Sequence, residues 1–149
     1  MKRTTAIAFL LFAFAFSPDK EVAHWIVEVS KRETVSEVVE ITFTATIKKS
    51  WYLYSSQLSI ADGPIATHVE WAEPGKLKLV DAIQPINPSR KYDQTWEAAI
   101  DYFKKKAQFK QRLRIDQRVT IVEGFIVGQY CNEKSGECIP FRESFKLNV

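Results

Sequence analysis

Apolar and polar residues alternate along much of this chain with a period of two. The pattern is cleanest from Glu37 to Ile47, where Val39, Ile41, Phe43, Ala45 and Ile47 fall on one side and Glu40, Thr42, Thr44 and Thr46 on the other. Successive side chains of a strand point to opposite faces, so this run predicts a half-buried antiparallel strand with one wet face. Residues 107–115 repeat the pattern through Phe109, Gln111, Leu113 and Ile115. Shorter β-rich runs occupy residues 22–29, 51–54, 67–71, 77–80 and 95–103, and Lys31-Arg32-Glu33 is expected to end the first of them. Lys48-Lys49-Ser50, Asp62-Gly63-Pro64 and Glu73-Pro74-Gly75 read as turns. Residues 84–93 hold Pro85 and Pro88 and read as a loop, because prolines so close together exclude a central strand.

The chain closes with two more strand-like runs. Residues 119–130 are rich in β-branched and aromatic side chains, and residues 139–147 place Phe141, Phe145 and Leu147 at alternate positions. The polar connection between them contains Gly136, which predicts a β-hairpin. No stretch shows a convincing helical period. About eight short strands, recurring roughly every ten residues, predict an all-β domain of the immunoglobulin-like antiparallel sandwich type. There is no internal repeat, low-complexity tract or second domain, and the order of strands within the two sheets is not legible in these patterns.

The N-terminus changes the picture. Met1-Lys2-Arg3 precedes an uncharged apolar run over residues 6–16, and Ala13-Phe14-Ala15 has the small-residue pattern of a cleavage site. Residues 1–17 are therefore expected to be a signal peptide, since a membrane-spanning helix needs about 20 apolar residues. Residues 18–149 are the expected exported domain, with no membrane insertion after cleavage. Loss of Lys2 and Arg3 lowers the formal charge from +3 to +1. The remaining basic run, Lys104-Lys105-Lys106, reads as a solvated turn and not as a nucleic-acid site.

Candidate chemistry is confined to the hairpin. Cys131 and Cys138, the only cysteines, stand at its two inner ends with six residues between them. An exported chain meets an oxidising compartment, where an even number of cysteines pairs. Two readings of the pair remain open. In one it is a structural staple in a non-catalytic β-sandwich that binds a protein or glycan. In the other it is a reactive disulfide, which the polar, exposed character expected of its surroundings favours. Glu133 and Glu137 are partly offset by Lys134 and Arg142, and no histidine or helix N-terminus lies near in sequence. Such a pair lacks the means to lower a thiol pKa strongly, and it suits a relay better than a strong oxidant. His24 and His68 are isolated and do not form a metal site. Trp25, Trp51, Trp71 and Trp96 are expected in packing, with a ligand platform at Trp51 and Tyr54 as a weaker alternative. No phosphate-binding loop, nucleophile elbow or catalytic carboxylate pair is present, and no cofactor or metal is expected.

Four segments in this order resemble a known family. They are Lys48-Lys-Ser-Trp-Tyr-Leu-Tyr54, Asp62-Gly-Pro-Ile65, Lys91-Tyr-Asp93 leading into Thr95-Trp-Glu97, and Tyr130-Cys131 with Cys138-Ile-Pro140. Together they resemble the N-terminal, periplasmic domain of the bacterial thiol:disulfide interchange protein DsbD, in a stand-alone exported form. The resemblance implies an immunoglobulin-like sandwich with a redox-active cysteine pair. It also implies electron transfer from a thioredoxin-like donor, linked to a membrane transporter, to periplasmic disulfide isomerases and cytochrome-maturation thioredoxins. Carried over by position, Cys138 forms the mixed disulfide and Cys131 resolves it. Residues 89–93 correspond to a cap over the disulfide, with Tyr92 as its aromatic residue and Asp93 beside it. Tyr52 and Tyr54 line the same site. The six-residue cysteine spacing is longer than the family's. With the chain ending at Val149, the transporter and a C-terminal thioredoxin domain are expected on separate chains, or the relay is lost and the fold kept.

Overall fold

The computed structural model describes residues 21–33 and 37–149. The expected signal peptide over residues 1–17 lies outside them. Eleven strands occur among the described residues: β1 (Ala23–Glu33), β2 (Val38–Ile47), β3 (Trp51–Tyr54), β4 (His68–Trp71), β5 (Leu77–Leu79), β6 (Gln84–Pro85), β7 (Ser89–Asp93), β8 (Ala98–Lys104), β9 (Lys106–Ile115), β10 (Ile121–Asn132) and β11 (Cys138–Asn148). A single 3₁₀ turn, Pro74–Lys76, precedes β5. No described helix is long and apolar enough to cross a membrane.

The strands form two antiparallel sheets. One runs β1-β2-β9-β5, with β6 also paired to β9; the other runs β11-β10-β3-β8-β7, with β4 also paired to β10. The all-β sandwich expected from the pattern is the observed architecture. Val39, Ile41, Phe43, Ala45 and Ile47 of β2 are buried as their alternation requires, facing Ala107, Phe109, Leu113 and Ile115 of β9 within one core. The second sheet contributes Leu53, Phe103, Val122, Ile126 and Tyr130.

Three local expectations are corrected. Lys31-Arg32-Glu33 does not end β1, which continues to Glu33 past a register slip between Val29 and Lys31. A bulge absorbs one residue and lets an edge strand run on with charged side chains exposed. Residues 84–93 are not all loop: β6 and β7 form there. Pro85 sits within the two-residue β6, opposite Phe109, and Pro88 lies just outside β7, the edge of its sheet, where it costs no central hydrogen bond. The run expected over 95–103 begins only at Ala98, because residues 94–97 make the β7–β8 turn, with Glu97 at a φ of 49°.

The sheets are tied at the hairpin end. Trp25 Nε1 donates to the Tyr130 hydroxyl at 2.7 Å, joining β1 of one sheet to β10 of the other. The Tyr130 ring stacks on Phe141 with centroids 4.1 Å apart. Gly128 of β10 pairs with Phe141 of β11. A Cβ at Gly128 would come within 2.8 Å of the Phe141 ring, so the aromatic lies in the space a side chain would fill. β10 thus runs from the core directly into Cys131.

Candidate functional site

Cys131 and Cys138 are directly opposite one another in the β10–β11 ladder and form a disulfide, with Cα atoms 4.1 Å apart. The Asn132 N–H donates to the Glu137 carbonyl at 2.8 Å, which makes the cysteines a non-hydrogen-bonded pair, the closer of the two antiparallel pair types. The connection closes without help from the sulfurs. Asn132 Oδ1 accepts from the N–H groups of Lys134 (2.9 Å) and Ser135 (3.1 Å). Gly136, at a φ of 73°, donates to the Asn132 carbonyl at 2.9 Å. An Asx turn followed by a left-handed glycine is a complete turn device by itself.

The two cysteines differ in environment. Cys131 is 1% exposed, whereas Cys138 is exposed. Cys131 lies on a strand flanked by β3 and β11, but Cys138 opens the edge strand. The expectation of an exposed pair therefore holds for one sulfur only. By alternation along β10, Tyr130 enters the main core and Cys131 turns to the opposite face of the sheet. There it joins a second buried cluster of Tyr52, Tyr54 and Ile100, against which Leu58, Ile60, Trp96, Ala98 and Tyr102 pack.

Tyr52 is the cross-strand partner of Cys131. Its ring meets those of Tyr54 and Tyr102 edge-on, at centroid distances of 5.3 and 5.8 Å. The hydroxyls of Tyr52 and Tyr54 are 3.3 Å apart, and the Tyr54 hydroxyl donates to Asp93 Oδ2 at 3.3 Å. Burial first, and then the hydrogen bond with Tyr52, push the Tyr54 pKa well above the ordinary tyrosine value, so Tyr54 remains a donor. Lys91 Nζ stands 3.3 Å from Asp93 Oδ2 and 3.7 Å from the centroid of the Tyr52 ring. Asp93 Oδ1 also accepts the Thr95 N–H at 3.0 Å, which fixes the turn carrying Trp96.

One more polar group reaches the sulfur. Gln129 Oε1 accepts the Ile65 N–H at 3.2 Å, which orients the amide so that Nε2 lies 3.8 Å from Cys131 Sγ. Amide N–H donors stabilise a thiolate more than a disulfide sulfur, because the charged acceptor makes the stronger hydrogen bond.

This arrangement coincides with a sequence match over nearly the whole described chain. The profile of the family described as "Thiol:disulfide interchange protein DsbD, N-terminal" matches residues 23–149. The chain belongs to the DsbD N-terminal domain family. Solved structures agree in fold. The N-terminal periplasmic domain of ScsB from Proteus mirabilis superposes with a TM-score of 0.64 at 17% identity, covering 89% of this chain. The chain spans about half (48%) of that ScsB chain. The Neisseria meningitidis DsbD N-terminal domain, in its reduced form, gives a TM-score of 0.56 at 17% identity and covers 91% of this chain and 90% of its own. The complex of the DsbD and PilB N-terminal domains from the same organism gives 0.53 at 14% identity, covering 89% and 87%. No curated protein sequence matches the chain significantly.

The residues suggested by resemblance to the DsbD family fall in two groups. Tyr52, Tyr54 and Asp93 meet beside Cys131. Tyr92 does not join them: it is 67% exposed, and strand alternation puts it on the face of β7 opposite Lys91 and Asp93. Residues 89–93 form a strand, and the aromatics packed against the Cys131 cluster are Trp96 from the following turn and Tyr102 of β8. Trp51 and Tyr54, the suggested ligand platform, are 6% and 1% exposed and present no open surface. Lys91, Trp96, Tyr102 and Gln129 were missed. The i, i+2 spacing of Lys91 and Asp93 would have put them on one face had β7 been recognised as a strand.

Proposed function

We propose that this chain is a periplasmic thiol–disulfide exchange module that relays electrons between thioredoxin-fold proteins through Cys131 and Cys138. The observation that carries the reading is the unequal burial of two sulfurs on directly paired residues. A partner thiolate reaches Cys138 Sγ and not Cys131 Sγ. Attack forms a partner–Cys138 bond and breaks the Cys131–Cys138 bond. Cys131 departs as a thiolate, facing the Gln129 amide, and takes up a proton. The partner's second thiolate then attacks its own sulfur in the mixed disulfide and releases Cys138. Two electrons and two protons pass from the partner dithiol to the domain. The reduced domain repeats the sequence in reverse on an oxidised acceptor, with Cys138 attacking and Cys131 resolving.

Family membership supports the chemistry, and the solved DsbD–PilB complex supports a protein as the partner. The donor in this reading is a membrane-linked thioredoxin-like protein, and the acceptors are isomerase or cytochrome-maturation types. The apolar run over residues 6–16 supports export, as does the periplasmic setting of the similar ScsB domain. The hairpin's self-sufficient turn argues against a bridge needed to close it.

Single-cysteine variants test the assignment. Cys131→Ser, with Cys138 activated as its mixed disulfide with 5-thio-2-nitrobenzoate, is expected to capture a thioredoxin-fold protein that lacks its own second cysteine as a dithiothreitol-sensitive adduct, because neither side then holds a thiol to resolve it. Cys138→Ser leaves only the buried thiol and is expected to capture far less. Equal capture by both variants overturns the division of roles. No capture by either overturns the relay and leaves a structural bridge.

A further inference from the structure

The lysine run 104–106, which reads in sequence as a solvated turn, does not stand alone. β2 passes to β3, and β8 to β9, by crossing from one sheet to the other, and both crossings lie at the same end of the sandwich. The Ile47 N–H donates to the Lys105 carbonyl at 2.7 Å, and Thr46 pairs with Lys106. The Glu133 N–H donates to the Ser50 carbonyl at 2.9 Å, Tyr52 pairs with Lys104, and Lys104 forms an ion pair with Glu133. Folding therefore gathers Lys48, Lys49, Lys104, Lys105, Lys106 and Lys134, all exposed, around the connection that joins the two cysteines. Of the six, only Lys104 has a carboxylate of a described residue within 4 Å. Among the described residues, Glu21, Glu133 and Glu137 are the acidic residues in the segments that carry or adjoin these lysines, leaving a local excess of three positive charges. The expected exported domain as a whole carries a formal charge of only +1, so the rest of it holds a net negative charge and the positive excess is local to this end.

We infer that this lysine-rimmed end is the docking surface for a partner protein whose reactive cysteine is surrounded by carboxylates. The inference rests on the exchange reading and names the chemistry of the partner. A partner is favoured over a lipid surface because the charge lies at the same end of the sandwich as the exposed cysteine, in whose row across the sheet Cys138, Cys131, Tyr52 and Lys104 follow one another. Uncompensated charge beside a reactive atom raises the local concentration of oppositely charged reactants and accelerates their encounter by tenfold or more at low ionic strength. The effect fades as the screening length falls to about 3 Å in molar salt.

The local potential at Cys138 is measurable with small thiols. The oxidised full chain is reduced with 2-mercaptoethanesulfonate, 2-mercaptoethanol and cysteamine, whose thiolate forms carry net charges of −2, −1 and 0. Rates are corrected for thiolate fraction and divided by the 2-mercaptoethanol rate for the same protein. At low salt the sulfonate is expected to outpace cysteamine by about tenfold, and 0.5 M salt is expected to remove most of the difference. A K48E/K49E/K134E variant, checked for native circular dichroism, is expected to abolish or invert the ranking. Rates that are blind to charge and to salt, in a disulfide that 2-mercaptoethanol does reduce, overturn the docking proposal and leave the relay intact. A disulfide that none of the three reduces overturns the relay reading, and this proposal with it. Charge-blind rates together with co-sedimentation on phosphatidylglycerol vesicles assign the lysines to a lipid surface and likewise overturn the proposal.

Discussion

The Tyr54 hydroxyl donates to Asp93 Oδ2 at 3.3 Å, and this bond links the floor beneath Cys131 to the edge hairpin that carries Trp96. Asp93 also accepts the Thr95 N–H and pairs with Lys91, so one 7%-exposed carboxylate holds strand, turn and floor together. A hydrogen bond to a charged group contributes about 1.5–3 kcal/mol net. Tyr54→Phe is expected to lower stability by about that amount in urea unfolding. It is also expected to speed reduction of the disulfide by dithiothreitol, because the turn over the cluster is held less firmly. Unchanged reduction with the expected stability loss would mean that the turn does not shield the sulfurs.

Trp96→Ala separates shielding from stability more sharply. Trp96 is half-buried and packs on the cluster from a turn, outside the main core. Its loss is expected to cost within the ordinary 0.5–3 kcal/mol of a single substitution while raising the rate of dithiothreitol reduction severalfold. Tyr92→Ala, on the opposite face of β7, is expected to leave that rate unchanged.

Removing both cysteines tests whether the bridge is structural. On the chain-entropy view a loop this short is worth roughly 2–3 kcal/mol, and the hairpin has its own turn hydrogen bonds. A Cys131→Ala/Cys138→Ala variant is expected to keep a native circular dichroism spectrum and cooperative unfolding, less stable by about that amount. Failure to fold would favour the staple.

Gly128 is required by the Phe141 ring that fills its side-chain space. Gly128→Ala forces overpacking and is expected to cost about 1–3 kcal/mol. Gly75→Ala meets nothing within 4 Å and serves as the control, with a change of about 0.5 kcal/mol or less.

Tyr54 and Tyr130 are both held above the ordinary tyrosine pKa, each mainly by burial. A group with a raised folded-state pKa contributes stability that is complete below its unfolded value, about 10, and is lost as pH rises toward the folded value. Stability is therefore expected to be flat from pH 7 to 9. Above pH 10 it should fall by about 1.4 kcal/mol per pH unit for each hydroxyl that ionises only on unfolding. Tyr130→Phe, followed by urea unfolding between pH 9 and 11.5, should make that fall shallower. At the opposite end of the sandwich Asp116, bonded to Arg118, has its pKa lowered to about 2. Its contribution is present above pH 4 and lost as pH falls toward 2.

The sequence by itself determined the class of fold, the buried face of β2 and β9, the terminal hairpin and the cysteine pair. Each is written in short-range alternation or in a turn residue that needs no distant partner, as with Val39 to Ile47 or Gly136. Tyr52 and Tyr54 were reached through resemblance to the DsbD family, since all four residues of β3 are buried and alternation does not single them out. Only the tertiary structure decided which cysteine is buried, because that depends on β10 being enclosed by β3 and β11 while β11 is an edge. The same holds for Lys91 and Trp96. A short edge strand that follows directly on a proline has weak local preference, and its pairing with β8 fixes which residues face the sulfurs. The gathering of six lysines from three separate segments is likewise a product of sheet crossings, since charges distant in sequence share a surface only once the strands between them have paired.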